Sequence, residues 1–164
     1  MALPKDLLSY EAEITQARLL RQTLYGADLL PQAVEIAKLA LWLRSARKGE
    51  KIADLGSNLV VRDSLDIKGF LAAIKGEPGS FDLVIGNPPW GGEISEESYR
   101  AACLELGLLT DPRWDSWELF LALALYALRD GGRIAMVLPD TIFSPEKERS
   151  RPLLLERTPD RAAA

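Results

Sequence analysis

One stretch of this 164-residue chain constrains its fold more than any other, Phe81 to Gly92 (FDLVIGNPPWGG). Its first part is short and apolar, with β-branched residues at Val84 and Ile85, which predicts a buried strand that Gly86 closes. The prolines that follow have a fixed φ and no N–H donor, so the backbone should leave the sheet here with its carbonyls facing outward. Because α/β sheets bind ligands at the carboxyl ends of their strands, the sequence predicts a site at this turn.

The turn offers an unusual set of binding groups. Asn87 carries an amide that both donates and accepts hydrogen bonds, Pro88 offers an outward carbonyl, and Trp90 has a broad aromatic face. These groups suit a planar ring with an exocyclic amine, because oxygens can accept from the amine while the indole stacks on the ring. The alternative interpretation is a plain proline turn after a strand, with Trp90 as a packing residue.

The remaining pattern alternates strands with helices, which predicts a parallel sheet of βαβ units. The predicted helix that Pro31 opens and that stops before Gly49 has a wide apolar stripe and should pack against the sheet. A later helix should begin with a capping box of Asp115 and Glu118 and end at Gly131-Gly132. The predicted strands are Thr23–Asp28, Asn58–Arg62, Phe81–Ile85 and Arg133–Leu138. Besides the helix that Pro31 opens, the predicted helices are Lys5–Gln22, Ile67–Lys75, Ser95–Leu106 and the one with the capping box, Asp115–Arg129.

Composition excludes several classes of function. Apolar content of 48% and charged content of 27% fit one soluble α/β domain, while a net charge of −4 argues against strong DNA binding by this chain alone. The chain has no histidine, which excludes Ser-His and Cys-His catalysis and His-ligated metal sites, and we see no metal-ligand cluster. The single cysteine, Cys103, is predicted to be a small core residue on a helix. The longest apolar run, Leu119–Leu128, is about half the length of a membrane span, so we expect a cytoplasmic protein.

Two acids follow predicted strands. Asp28 ends the first strand, where a carboxylate commonly binds the ribose hydroxyls of a nucleoside cofactor. Asp63 follows the second strand and is positioned to accept from the adenine amine of the same cofactor. The alternative is that both are turn or helix-capping acids, which often follow strands.

The motif Asn87-Pro88-Pro89-Trp90, placed after such a strand, resembles the catalytic motif of amino-group methyltransferases. The closest resemblance is to the adenine-specific DNA methyltransferases of restriction and phage-defence systems. The segments LYGADLLPQAVEIAKLALWL, NLVVRDSL, FDLVIGNPPW and GGRIAMVLPDTIFS are similar to blocks of that family in the same order. The resemblance covers roughly residues 5 to 155.

This resemblance implies an incomplete Rossmann-like methyltransferase sheet, mostly parallel, with helices on both faces. Residues 1–143 would form a partial catalytic domain, and residues 144–164, rich in Arg, Pro and Ala, a loosely ordered tail. It also implies S-adenosylmethionine as methyl donor and a base flipped out of DNA as acceptor. The catalytic motif would be Asn87, Pro88, Pro89 and Trp90, and the cofactor-binding residues Asp28, Asp63 and Asn87.

The sequence departs from the family at the cofactor loop, because no two glycines are spaced as Gly-x-Gly. The segment Ile52–Asn58 (IADLGSN) imitates such a loop, but a strand begins at Leu59 and leaves no room for the helix that should follow. We therefore interpret Leu55–Ser57 as a connection. We also expect no target-recognition domain after residue 150, so the chain resembles the middle of a larger enzyme.

Two structural outcomes are open if the central strand is missing. The apolar strands Thr23–Ala27 and Phe81–Ile85 pair directly, or a complementing chain supplies the missing strand and the glycine loop. Two functional alternatives are also open. The chain could be an inactive remnant that binds nucleic acid or a partner, or an enzyme that methylates a protein glutamine, although Trp90 in place of tyrosine argues against the latter.

Overall fold

The computed structural model of the protein describes residues 20–46, 54–110 and 113–147. The chain divides into two compact units, Met1–Ser64 and Leu65–Ala164. Each unit contains its own two-stranded parallel sheet, so the predicted mixed α/β class with parallel pairing is confirmed. Most of the helix predicted for Lys5–Gln22 lies outside the described residues. Its last three residues, 20–22, are helical in the structure.

In the described part of the first unit, two strands and a helix form a βαβ crossover. Strand β1 (Gly26–Asp28) leads into helix α1 (Pro31–Ser45), and strand β2 (Leu59–Val61) returns parallel to β1. Proline in the first turn of α1 fits its fixed φ and missing N–H donor, as the sequence predicted. Both strands are shorter than predicted, because the ladder extends only over three residues of each.

Helix α1 buries much less of its apolar stripe than its sequence predicts. Val34 is buried and packs with Leu55 and Leu59, whereas Ile36 and Leu43 are 67% and 73% exposed. A sheet of two three-residue strands covers only a narrow strip of a 15-residue helix. The prediction that the whole stripe packs against a sheet is therefore wrong for the side that carries Ile36 and Leu43.

The turn before β2 is held by a buried side chain. The amide of Asn58 donates to the carbonyls of Arg21 (2.9 Å) and Leu24 (3.0 Å), which precede β1. The backbone N–H groups of Asn58 and Leu59 both donate to the Leu55 carbonyl. The segment is thus a turn that leads directly into a strand, which confirms Leu55–Ser57 as a connection.

The second unit contains the predicted proline turn. Strand β3 (Phe81–Gly86) runs parallel to strand β4 (Leu128–Met136), and Leu83 pairs with Arg133 while Gly86 pairs with Met136. In chain order its elements are α2 (Ile67–Ile74), β3, α3 (Glu96–Leu106), α4 (Ser116–Ala127), β4 (Leu128–Met136) and two 3-10 helices, Asp140–Phe143 and Pro145–Lys147. The described strands form the ladders β1–β2 and β3–β4, so direct pairing of the first strand with β3, one of the two outcomes left open by the sequence, is not among them.

Helix α4 ends at Ala127, four residues before Gly131, the first of the two glycines that were predicted to stop it. Its last turn ends early because the N–H of Gly79 binds the Tyr126 carbonyl (3.0 Å) and Phe81 pairs with Leu128. The glycines serve a bend inside β4 instead. Gly131 has φ +71°, and a Cβ on Gly132 would stand 2.7 Å from the Leu128 side chain. These contacts arise from the tertiary fold, so the spacing of apolar residues along the helix does not predict them.

The core of the second unit lies between helices α3 and α4. Its buried residues are Leu65, Tyr99, Ala102, Cys103 and Leu119. Cys103 is fully buried on α3 as predicted, and burial raises the pKa of its thiol.

One face of β3 lies outside this core. Helix α4 packs against β3 and β4, and Val84 is half-buried, whereas Leu83 and Ile85 are 54% and 70% exposed. The strand predicted for Phe81–Ile85 is confirmed, but the prediction that it is buried is wrong for the face that carries Leu83 and Ile85. Parallel sheets usually have both faces covered, so this open apolar face is unusual.

Candidate functional site

The Asn-Pro-Pro-Trp turn follows directly from the carboxyl end of β3. The ladder extends one step beyond the strand, because the N–H of Val137 donates to the Gly86 carbonyl (3.1 Å). At Asn87 the chain leaves the sheet, since the next two residues have no N–H donor for a ladder. Asn87 and Trp90 are exposed while Pro88 between them is buried. The turn thus places an amide and an indole at the surface on a fixed backbone.

The orientation of Trp90 is set by a hydrogen bond. Its indole N–H donates to the carbonyl of Val137 (3.2 Å), the residue after β4. The side chain is nevertheless 55% exposed, so part of the ring faces solvent. An exposed aromatic face with its only polar group already bound is suited to stacking on a planar ligand.

The carbonyl of Pro89, the second proline of the turn, is bound by a buried side chain. The hydroxyl of Ser116 donates to the Pro89 carbonyl at 2.7 Å, and Ser116, the first residue of α4, is only 3% exposed. The expectation that the carbonyls of this turn face outward is therefore wrong for Pro89. Sequence reasoning missed Ser116, since a serine in the first turn of a helix gives no sign of which carbonyl it will meet.

The start of α4 is fixed by a cluster of charges. The capping box is confirmed, because the N–H of Asp115 donates to the carboxylate of Glu118 (2.6 Å). Lys147 then binds Asp115 at 2.6 Å and the fully buried Glu118 at 2.9 Å. Burial of the ammonium group acts to lower the pKa of Lys147, but its hydrogen bonds to the two carboxylates outweigh burial and the pKa is raised. The amine therefore stays charged at neutral pH.

The two strand-end acids lie in the first unit, at the same end of its sheet. Asp28 is the last residue of β1, and Asp63 follows β2 by two residues. The N–H of Arg62 donates to the Asp28 carbonyl (2.9 Å), which brings the two strand ends together. One carboxylate oxygen of Asp28 accepts from the N–H of Leu30 (2.8 Å). Asp28 thus has the turn role of the alternative interpretation, while the side chain stays exposed.

A separate ion pair in the second unit should make the stability of the fold depend on pH. Glu105 accepts from Lys68 (2.7 Å) and from the hydroxyl of Tyr126 (2.9 Å). The hydrogen bond from Lys68, followed by that from Tyr126, lowers the pKa of Glu105. A carboxylate whose pKa is lowered on folding stabilises the fold above its unfolded pKa, and this stability is lost as the pH falls through the lowered folded pKa.

We therefore expect the Glu105→Gln variant to melt below the wild type at pH 6, with a difference that shrinks as the pH falls towards 3. Thermal melts at several pH values would measure this difference. The Glu93→Gln variant is a matched control, because Glu93 is an exposed carboxylate in the loop before α3. A gap between Glu105→Gln and wild type that stays constant down to pH 3 would contradict the assignment.

Comparison with known families identifies the chain. The model of the Eco57I restriction-modification methylase family matches residues 22–159, which include both strand-end acids and the whole Asn-Pro-Pro-Trp turn. The chain belongs to this family. The resemblance to restriction-type DNA methyltransferases is thereby confirmed at the level of the family, and the Eco57I-family match also covers Ser116 and Lys147. No curated protein matches the chain.

Within residues 20–46, 54–110 and 113–147, no three His, Cys, Asp or Glu side chains are grouped so that they could hold a metal ion. No helix in this part of the chain is long and apolar enough to cross a membrane.

Proposed function

We propose that this Eco57I-family chain carries the methyl-acceptor site of an S-adenosylmethionine-dependent methyltransferase that acts on the exocyclic amine of adenine in DNA. The enzyme would serve a restriction-modification or phage-defence system. The observation that carries the proposal is the turn after β3, where the exposed amide of Asn87 lies three residues before an indole whose N–H is bound to Val137.

The groups of the turn match the needs of amine methylation. The amide oxygen of Asn87 and the carbonyl of Pro88 would accept hydrogen bonds from the amine, which keeps the lone pair on the nitrogen instead of in the ring and favours tetrahedral character there. Trp90 would stack on the base once it is flipped out of the duplex. The residues would act by orienting the lone pair of the nitrogen at the methyl carbon. As the C–N bond forms, the bond between the methyl group and sulfur breaks with its electron pair going to sulfur, and the methylated amine releases one proton to solvent, so an enzyme nucleophile or a metal is not needed.

The cofactor site is proposed on the acids at the ends of β1 and β2. Asp28 would accept from the ribose hydroxyls and Asp63 from the adenine amine. The exposed carboxylate of Asp28 fits this role, since one of its oxygens already fixes its position through the N–H of Leu30. When bound, the cofactor supplies an electrophilic methyl group.

We further propose that the methionine half of the cofactor is held by residues outside this sequence. The chain has no Gly-x-Gly pair, and the one similar segment is the turn before β2. A complementing polypeptide segment would supply this loop, a further strand and the DNA-recognition surface. The net charge of −4 supports a separate DNA-recognition surface, because phosphate binding needs clustered basic side chains.

Titration calorimetry with S-adenosylmethionine tests this division of the site. Each lost charge-assisted contact costs about 1.5–3 kcal/mol, so the loss of two should move a micromolar site to millimolar or weaker. We expect no measurable transfer of a tritiated methyl group to DNA by this chain alone, and transfer once the segment with the glycine loop is added. A micromolar dissociation constant for the chain alone would contradict the proposal.

A further inference from the structure

The turn that carries Asn87 offers few means of holding its own shape. Pro88 and Pro89 donate no backbone hydrogen bonds, so their carbonyls are the only polar backbone groups by which they can be fixed. The Pro89 carbonyl accepts from the Ser116 hydroxyl at 2.7 Å, and Ser116 is 3% exposed. Ser116 is buried although Pro89 is exposed, so the donor side of this bond is shielded from water.

Two anchors flank Asn87 and Pro88. On one side, the Gly86 carbonyl accepts from the N–H of Val137, and on the other the Pro89 carbonyl accepts from Ser116. The Val137 carbonyl also binds the indole of Trp90. The segment after β4 thus fixes the start of the turn and its indole, while Ser116 fixes the backbone between them.

Ser116 is itself held in place. It begins α4 directly after Asp115, and the carboxylates of Asp115 and Glu118 both bind Lys147. A helix start that is capped and paired in this way cannot shift easily to follow a moving turn. A rigid support of this kind is what a site needs when its reacting groups must stay within a fraction of an ångström.

We infer that Ser116 is a positioning residue that sets the amide of Asn87 relative to the ring of Trp90, an inference that rests on the proposed function of the turn. The residue does not touch the substrate and acts only through the Pro89 carbonyl. Without the hydroxyl, the carbonyl of Pro89 loses the partner that holds it towards α4, and the turn should shift to find another. A displacement of about 1 Å in such a site lowers the rate about 100-fold.

The test combines a spectroscopic readout with a kinetic one. The first is the ¹H–¹⁵N spectrum of the chain, with the Trp90 indole signal assigned among the four tryptophans by the Trp90→Phe variant. In Ser116→Ala we expect the Trp90 indole and Asn87 side-chain signals to move. In the complemented enzyme we expect kcat to fall by about 10- to 100-fold with little change in the KM for cofactor.

Two variants serve as controls. Ser116→Thr keeps the donor and should retain wild-type signals, and Ser116→Cys, whose thiol is only a weak donor, takes the place of Ser116→Ala if that variant does not fold. Ser45→Ala removes a hydroxyl that donates to the Leu41 carbonyl, also at 2.7 Å, and should leave the Trp90 and Asn87 signals in place. Unmoved Asn87 and Trp90 signals in Ser116→Ala, or signals equally displaced in Ser116→Thr, would overturn the inference. An enzyme without methyltransferase activity whose signals respond as expected would count against the proposed function alone.

Discussion

Replacing Asn87 with alanine is expected to lower methyl transfer by at least about 100-fold while cofactor binding is largely retained. The amide orients the acceptor amine, and removal of one such hydrogen-bonding group from an active site typically costs a factor of 100 to 1000 in rate. Trp90→Ala should be milder, at about 1–3 kcal/mol, because it removes stacking on the flipped base. Single-turnover transfer from tritiated cofactor, measured on the complemented enzyme, gives both rates.

The loop after the turn provides the control for this comparison. Glu93 is exposed and three residues beyond Trp90, so Glu93→Gln should transfer methyl groups at the wild-type rate. If Asn87→Ala retained near-full activity, the amine-orienting role would be wrong. If Trp90→Ala were the more damaging of the two, stacking and not the amide would dominate catalysis.

Replacing Lys147 with methionine is expected to destabilise the second unit by about 3 kcal/mol. Glu118 is fully buried, and removal of its cationic partner would leave an uncompensated charge in the interior, which costs about 3–5 kcal/mol. We take the lower end because Asp115, the other partner, is half exposed. Urea denaturation at pH 7 would measure the loss. The raised pKa of Lys147 means that its contribution is complete at this pH and is lost only as the pH rises through that pKa.

A double variant separates charge from packing. Lys147→Met with Glu118→Gln removes both charges but keeps an acceptor for the N–H of Asp115, so it should recover most of the lost stability. Lys38→Met breaks the pair with Glu35, which is 67% exposed, and should change the free energy of unfolding by no more than about 1 kcal/mol. Equal losses in Lys147→Met and Lys38→Met would contradict the burial argument.

Local signals predicted much of this fold. The strand Phe81–Gly86, the proline turn after it, the capping box at Asp115 and the buried Cys103 were all correctly predicted. Each depends on residues adjacent in sequence or one helical turn apart, where propensity and capping act directly. The parallel pairing followed from the alternation of strands and helices.

The errors share one cause. At each of these places the structure is decided by contacts with residues that are distant in the sequence. Gly79 and Phe81 end α4 before its glycines, and Ser116 turns the Pro89 carbonyl inward. The exposed stripe of α1 depends on how short β1 and β2 are, which residue patterns do not reveal. The sequence thus predicted which chemical groups the candidate site offers, but not the hydrogen bonds that hold those groups in place.

The central claim is that the turn after β3 presents an adenine amine for methylation. The most direct test is liquid chromatography–mass spectrometry of the acceptor after reaction of the complemented enzyme with labelled cofactor and a mixture of DNA and protein. We predict labelled N6-methyldeoxyadenosine, absent from the Asn87→Ala reaction. Label in N4-methyldeoxycytidine, in methylated glutamine, or in no product at all would contradict the account.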